Sequence, residues 1–168
     1  MERSVYVGLG SNLADPAAQV LRGMEALNRL PKTQVRARSS LYRSAPVGFA
    51  DQPDFINAVA GLETMLPPRA LLEALLELER ESGRTRDFRN APRTLDMDLL
   101  LYGDLVLQEP GLTLPHPCMH QRAFVLQPLL EIAPDCVIPG IGSAAEAMRQ
   151  CADQRVAAIP SPFGRGLG

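Results

Sequence analysis

An α+β sandwich with the element order β-α-β-β-α-β is the fold that this sequence predicts, on three observations. Short stretches carry alternating apolar residues, two longer stretches repeat them at helical spacing, and Pro or Gly stands at the joints. The first strand is SVYVGL, with Val5, Val7 and Leu9 on one side. Asp15 followed by Pro16 reads as the N-cap and first position of a helix that turns Leu21, Met24 and Leu27 inward and stops before Pro31. Alternation returns in TQVRARSSLY, where Val35, Ala37 and Leu41 oppose Arg36 and Arg38, and again in DFINAVAGLE. A second helix is predicted over 69–82. Leucines at 71, 72, 75, 76 and 78 give it a broad apolar stripe, and Gly83 is placed to end it. The last strand of the core lies in APRTLDMDLL. This order predicts a ferredoxin-like α/β sandwich, with additional C-terminal helices near 121–132 and 143–151.

A chain of 168 residues, 46% hydrophobic, can bury a core of its own and fits one domain. That domain is expected over 1–159, with the Pro- and Gly-rich stretch 160–168 as a flexible tail. A net charge of -2 supplies no basic field, which argues against a nucleic-acid partner. The three cysteines, Cys118, Cys136 and Cys151, show no CxxC spacing, so they read as reduced thiols that serve packing. No signal-type apolar region opens the chain and no apolar run reaches membrane length, so a cytoplasmic protein with no membrane partner is expected.

The chemistry is concentrated in a few polar breaks. On a strand, Leu95, Met97 and Leu99 point one way while Asp96 and Asp98 share the other face. Two such carboxylates repel each other, so they need a metal ion, a basic side chain or a proton. An ion pair with Arg93 would satisfy the same need. Arg84, Arg86, Arg89 and Arg93 crowd the preceding loop. Beside a hard-cation site these would suit a polyphosphate, and on a solvated face they would be a plain basic loop. Glu79 falls on or beside the leucine stripe, either as a functional carboxylate or as a flank charge. VGLGSNL lacks the Lys of a P-loop and the GxGxxG spacing, so Gly8 and Gly10 read as allowing close backbone approach, with Ser11 and Asn12 in local turn bonds. Asn57 shares a strand face with Phe55. That pair could hold a heterocycle by amide and ring, or be core residues. His116 and His120 lack the flanking pattern of a zinc protease, and His116 is placed to meet phosphate. A metal-dependent phosphohydrolase or nuclease, or a regulatory nucleotide binder, would use much of the same set.

Taken together, GSNL, SSLYRSAPVG, DQPDFINAV, APRTLDMDLLLYGD and LTLPHPCMHQRAFVLQPLLEIAPD, from Tyr6 to about Pro139, resemble the 6-hydroxymethyl-7,8-dihydropterin pyrophosphokinases of folate and tetrahydrofolate biosynthesis. The resemblance implies the ferredoxin-like fold and a transfer of diphosphate from ATP to a pterin alcohol, with AMP as the other product. It assigns Asp96 and Asp98 to two Mg2+ ions on the ATP phosphates. It makes Arg84 and Arg93 contacts of the transferring phosphates, joined on the nucleotide side by Glu79, His116 and Arg122. Phe55 and Phe124 would sandwich the pterin, Asn57 would bond its polar edge, and Ser44, Pro46 and Val47 would line the same pocket. ATP and the pterin are then the partners, with no nucleic acid, no membrane and a monomeric chain. A second folate enzyme is not expected in this length. The sequence departs from many relatives where Asn90 and Ala91 precede Pro92, and from some where Asp87 stands in place of a basic residue and Leu76 in place of Gln; the roles of Arg86 and Arg89 stay open.

Overall fold

The computed structural model describes residues 3–13, 15–45, 53–82 and 95–160. The expected helix stop at Gly83 and all of the expected tail except Pro160 lie outside them. The chain begins with strand β1 (Arg3–Ser11), in which Val5, Val7 and Leu9 are buried as their alternation requires. Helix α1 (Pro16–Ala26) follows and runs into a 3-10 turn at Leu27–Arg29. Pro16 opens it because its fixed φ suits a first helical residue and its missing N–H has no partner to lose there. Asp15 holds the N-cap position as expected, though in a left-handed backbone and with no cap bond from its side chain.

The stretch expected as one alternating strand is two, β2 (Thr33–Arg38) and β3 (Tyr42–Ser44). The break comes from Ser39, whose N–H and Oγ both bond the backbone of Val59, the Oγ at 2.9 Å, and turn the chain before it re-pairs. Both strands lie along the same side of β4 (Phe55–Thr64). Helix α2 (Pro68–Glu81) matches the predicted one within a residue at each end, burying Leu71, Leu75 and Leu78 and leaving Leu76 at 39% exposure on the outside of the stripe. Strand β5 (Asp96–Tyr102) pairs with β1. Two hairpins absent from the expected order follow: β6 (Leu107–Glu109) with β7 (Leu112–Leu114), and, after helix α3 (Ala123–Ile132), β8 (Val137–Ile138) with β9 (Gly142–Ser143). Helix α4 (Ala144–Arg149) is capped by the Ser143 Oγ, which accepts from the Glu146 N–H at 3.0 Å. Strand β10 (Val156–Ala158) then adds itself to β3.

The main sheet runs β10-β3-β4-β1-β5, with β2 beside β4 beyond β3, and its pairings are antiparallel. Each face has its own core. Val5, Val7, Leu9, Ile56, Ala58, Leu62, Met97 and Leu99 meet α1 and α2, while Val59, Leu100 and Leu101 meet α3 and α4. Coverage on both faces explains why β4 reads as an almost continuous apolar run. Helix α1 approaches closely because position 23 is glycine: a Cβ there would stand 2.6 Å from Leu95 Cδ2 and 3.0 Å from Leu9 Cδ2. In β5 the pairing slips by one residue, Leu99 opposing Val7 and Leu101 opposing Tyr6, so Leu100 is a bulge and turns to the α3 side together with Leu101. Among the described residues no helix is long and apolar enough to cross a membrane. All three cysteines are free thiols, and burial pushes Cys136 and Cys151 above the usual thiol range.

Candidate active site

Upstream of the bulge, β5 keeps strict alternation. Leu95, Met97 and Leu99 are buried against α1 and α2, and Asp96 and Asp98 take the other face. Asp96 is half-buried and Asp98 exposed, so the pair stands at the wet end of the strand. Their cross-strand partners on β1 are glycines, Gly10 opposite Asp96 and Gly8 opposite Asp98. On the far side of β1, Gly10 pairs with Asn57. Two inter-strand spacings, about 9 to 10 Å, therefore separate the Asp96 and Asn57 backbones, with no Cβ between them on that face. The Asn57 amide uses the space: a Cβ on Gly10 would stand 2.9 Å from its Nδ2. Asn57 is 6% exposed, and its Oδ1 accepts from the Ser44 Oγ at 2.8 Å. That bond fixes which end of the amide points toward the glycines. Phe55, two residues earlier on β4, shares the face and is half-buried.

Helix α3 packs over this face against β3 and β4 and carries Phe124 in its first turn. Arg122 precedes the helix and lays its guanidinium carbon 5.6 Å from the centre of the Phe124 ring, a cation–π distance. Arg122 also bears on His116, whose ring is held by its own turn. The His116 N–H donates to the Leu100 carbonyl at 2.9 Å, and its Nδ1 accepts from the Cys118 N–H at 3.1 Å. A neutral ring with Nδ1 as acceptor carries its proton on Nε2. Burial, the largest influence, holds the His116 pKa below its ordinary 6.5. Asp98 pulls it up, and Arg122 pushes it down. A histidine lowered by folding binds its proton more weakly folded than unfolded. Its contribution to stability is thus complete above pH 6.5 and declines as the pH falls from there to the folded pKa. NMR titration of the free protein should place the His116 midpoint below 6.5, and a midpoint above it would show that Asp98 outweighs burial.

Glu79 is the side chain that sequence placed least firmly. It is 7% exposed, and its Oε2 accepts from the Met97 N–H at 2.6 Å. The carboxylate therefore grips β5 at the residue between the two aspartates. It also lines an open cleft of about 310 Å³ at the outer edge of β5, together with Leu72, Asp98, Thr113 and His116. Leu112 and Thr113 bring β7 into its lining. Sequence reading passed over them, although they stand just before the PHP phrase that singled out His116. A larger cavity of about 460 Å³, bounded by His120, Glu146, Cys151 and Gln154, contains none of the expected site residues.

The structure thus gathers Asp96, Asp98, His116, Arg122 and Glu79 around the end of β5, with Ser44, Phe55, Asn57 and Phe124 on the sheet face beyond the glycines. Arg84, Arg93, Pro46 and Val47, like Arg86 and Arg89, lie outside the described residues. Among the described residues no group of three or more His, Cys, Asp and Glu side chains is arranged to hold a metal ion. Two hard carboxylate ligands nonetheless fit Mg2+, which keeps several waters and takes its other oxygens from substrate phosphates instead of an all-protein cage.

Comparison with known proteins supplies the family. Residues 6–134 match the family described as 7,8-dihydro-6-hydroxymethylpterin-pyrophosphokinase (HPPK). The chain is 48% identical over 160 residues to a 2-amino-4-hydroxy-6-hydroxymethyldihydropteridine pyrophosphokinase of Pseudomonas aeruginosa, covering 95% of this chain and 99% of that one. It is 45% identical over 153 residues to the protein of the same name from Haemophilus influenzae, covering 91% and 96%. Among solved structures it resembles the wild-type Plasmodium falciparum HPPK-DHPS with pteroate at a TM-score of 0.71 and 11% identity, covering 89% of this chain and 44% of that longer one. That last likeness concerns the fold alone. The chain belongs to the 7,8-dihydro-6-hydroxymethylpterin-pyrophosphokinase family.

Proposed function

We propose that this chain transfers diphosphate from ATP to the hydroxymethyl oxygen of 6-hydroxymethyl-7,8-dihydropterin, giving the pterin diphosphate and AMP in folate biosynthesis. The observation that carries this is the position of the aspartate pair. Asp96 and Asp98 stand between the cleft at the outer edge of β5 and the glycine-floored face that leads to Asn57. A triphosphate in the cleft and a heterocycle over Asn57 would meet at these carboxylates.

In this reading Asp96 and Asp98 hold Mg2+, two ions by the family's pattern. Bound there, Mg2+ would supply positive charge against the charge that builds up on the phosphates during transfer. The hydroxymethyl oxygen attacks the β-phosphorus as the bond from that phosphorus to the α–β bridging oxygen breaks. The alcohol proton is lost to solvent, and AMP leaves. Little covalent work falls to the protein, so positioning and charge stabilisation dominate. His116, with its proton on Nε2, and Arg122 donate to phosphate oxygens, joined by Arg84 and Arg93. The Asn57 amide reads the polar edge of the pterin, Phe55 and Phe124 cover its faces, and Ser44 both orients Asn57 and borders the pocket with Pro46 and Val47. Glu79 lies on the nucleotide side as a wall of the cleft. The strand order β2/β3-β4-β1-β5, with α1 and α2 on one face, supports the ferredoxin-like reading of the fold. A monomeric, cytoplasmic enzyme is the accompanying proposal.

The test is product analysis with ATP, Mg2+ and the pterin, omitting each in turn. AMP and a pterin diphosphate that both require all three establish the reaction. ADP or phosphate formed without the pterin would replace it with a kinase or hydrolase.

A further inference from the structure

Helix α3 carries Phe124 at its second residue and Glu131 seven residues later. Seven residues are almost two full turns, so both side chains leave the helix along one stripe. Between them stands Pro128, which has no N–H to donate to the Phe124 carbonyl, so one intrahelical bond is missing where Phe124 needs support. Glu131 is exposed on its outer side, yet it takes three hydrogen bonds, two from Ser40 in the connection between β2 and β3 and one from Tyr42 at the start of β3. Its Oε1 accepts from the Ser40 N–H at 2.9 Å and the Tyr42 O–H at 2.7 Å, and its Oε2 from the Ser40 Oγ–H at 2.9 Å. Burial and this carboxylate together raise the Tyr42 pKa above the usual phenol range, so the hydroxyl stays a donor. Tyr42 is the direct cross-strand partner of Asn57, and Ser44 on the same strand donates to the Asn57 amide. Glu131 therefore ties the helix that carries Phe124 to the strand that holds Asn57.

We propose that Glu131 is a positioning residue for the pterin: its bonds to Ser40 and Tyr42 set the height of α3 over the sheet and with it the width of the slot between Phe124 and the Asn57 face. The proposal rests on the reading of Phe124 and Asn57 as the pterin pocket. A tie that only stabilised the fold would touch both substrates equally or neither. The experiment is the binding of 6-hydroxymethyl-7,8-dihydropterin and of ATP, each measured separately on the full chain, with kcat and KM alongside. Glu131→Ala and Tyr42→Phe should each weaken pterin binding about fivefold, the net worth of one to two such hydrogen bonds. ATP affinity and kcat should stay within about twofold, because neither residue touches the cleft. Glu131→Gln, which keeps an acceptor for Tyr42 and Ser40, should restore most of the affinity. Unchanged pterin binding in Glu131→Ala, or an equal loss of ATP affinity, would overturn the tie. Phe124→Ala serves as the control for the pocket. If it leaves pterin binding intact, the pocket reading falls and the proposal with it; if it alone weakens binding, only the tie falls.

Discussion

Replacing either Asp96 or Asp98 by alanine should lower turnover by roughly 10²- to 10³-fold while the protein stays folded. Charge stabilisation by a bound cation is worth several kcal/mol at the transition state, and each 1.36 kcal/mol is about a factor of ten. The fold has little at stake: Asp98 is exposed and Asp96 half-buried, whereas the residues between and beside them, Leu95, Met97 and Leu99, carry the packing. Removing one of two neighbouring like charges also relieves repulsion. The unfolding midpoint should therefore move by no more than about 2 °C, in keeping with the small cost of surface substitutions in a domain of this size. Steady-state kinetics over a Mg2+ titration, with calorimetry on the same samples, checks both halves. Wild-type turnover in either variant would remove the carboxylates from the mechanism.

Glu79→Ala should damage both stability and activity. The carboxylate is almost fully buried and bonded to the Met97 N–H at 2.6 Å. Losing a hydrogen bond to a charged acceptor costs about 1.5 to 3 kcal/mol, and the strand N–H then lies buried with no acceptor in its place. For a domain of this size that corresponds to a fall of roughly 4 to 10 °C in the unfolding midpoint. Met97 lies between the aspartates, so a shift of β5 by even an ångström displaces both and can cost about 10²-fold in rate. Glu79→Gln retains an acceptor and should keep most of the stability. Thermal unfolding and kcat of the two variants separate a strand anchor from a plain nucleotide contact. A stable Ala variant that only binds ATP more weakly would identify the contact as the whole role.

What the sequence reveals of this fold is whatever depends on local period. The alternation of Val5, Val7 and Leu9 and the stripe of Leu71, Leu75 and Leu78 need no partner to be recognised, and the structure buries all six. The split between β2 and β3 depends on distant groups. Ser39 bonds Val59 twenty residues away and Ser40 bonds Glu131 ninety-one residues away, so no window over 33–44 contains the cause. β6 to β10 have two or three residues each, too few to show a period. The candidate site divides the same way. Spacing placed Asp96 and Asp98 on one face, and the leucine stripe put Glu79 at its border, but the bond from Glu79 to Met97 and the Asn57 amide over Gly10 exist only after α2, β1, β4 and β5 assemble.

The bulge at Leu100 also governs how β5 can change in length. Deleting Asp96, Met97 or Asp98 with the bulge kept would swap the two faces of everything on one side of the cut, sending the carboxylates into the apolar layer or the leucines into water. Deleting Leu100 itself would leave Leu99 opposite Val7 and Leu101 opposite Tyr6, as they already are, at the cost of one buried leucine. Length variation along this strand is thus channelled to the run of three leucines at 99–101, and the carboxylate pair keeps its orientation whether that run has three members or two.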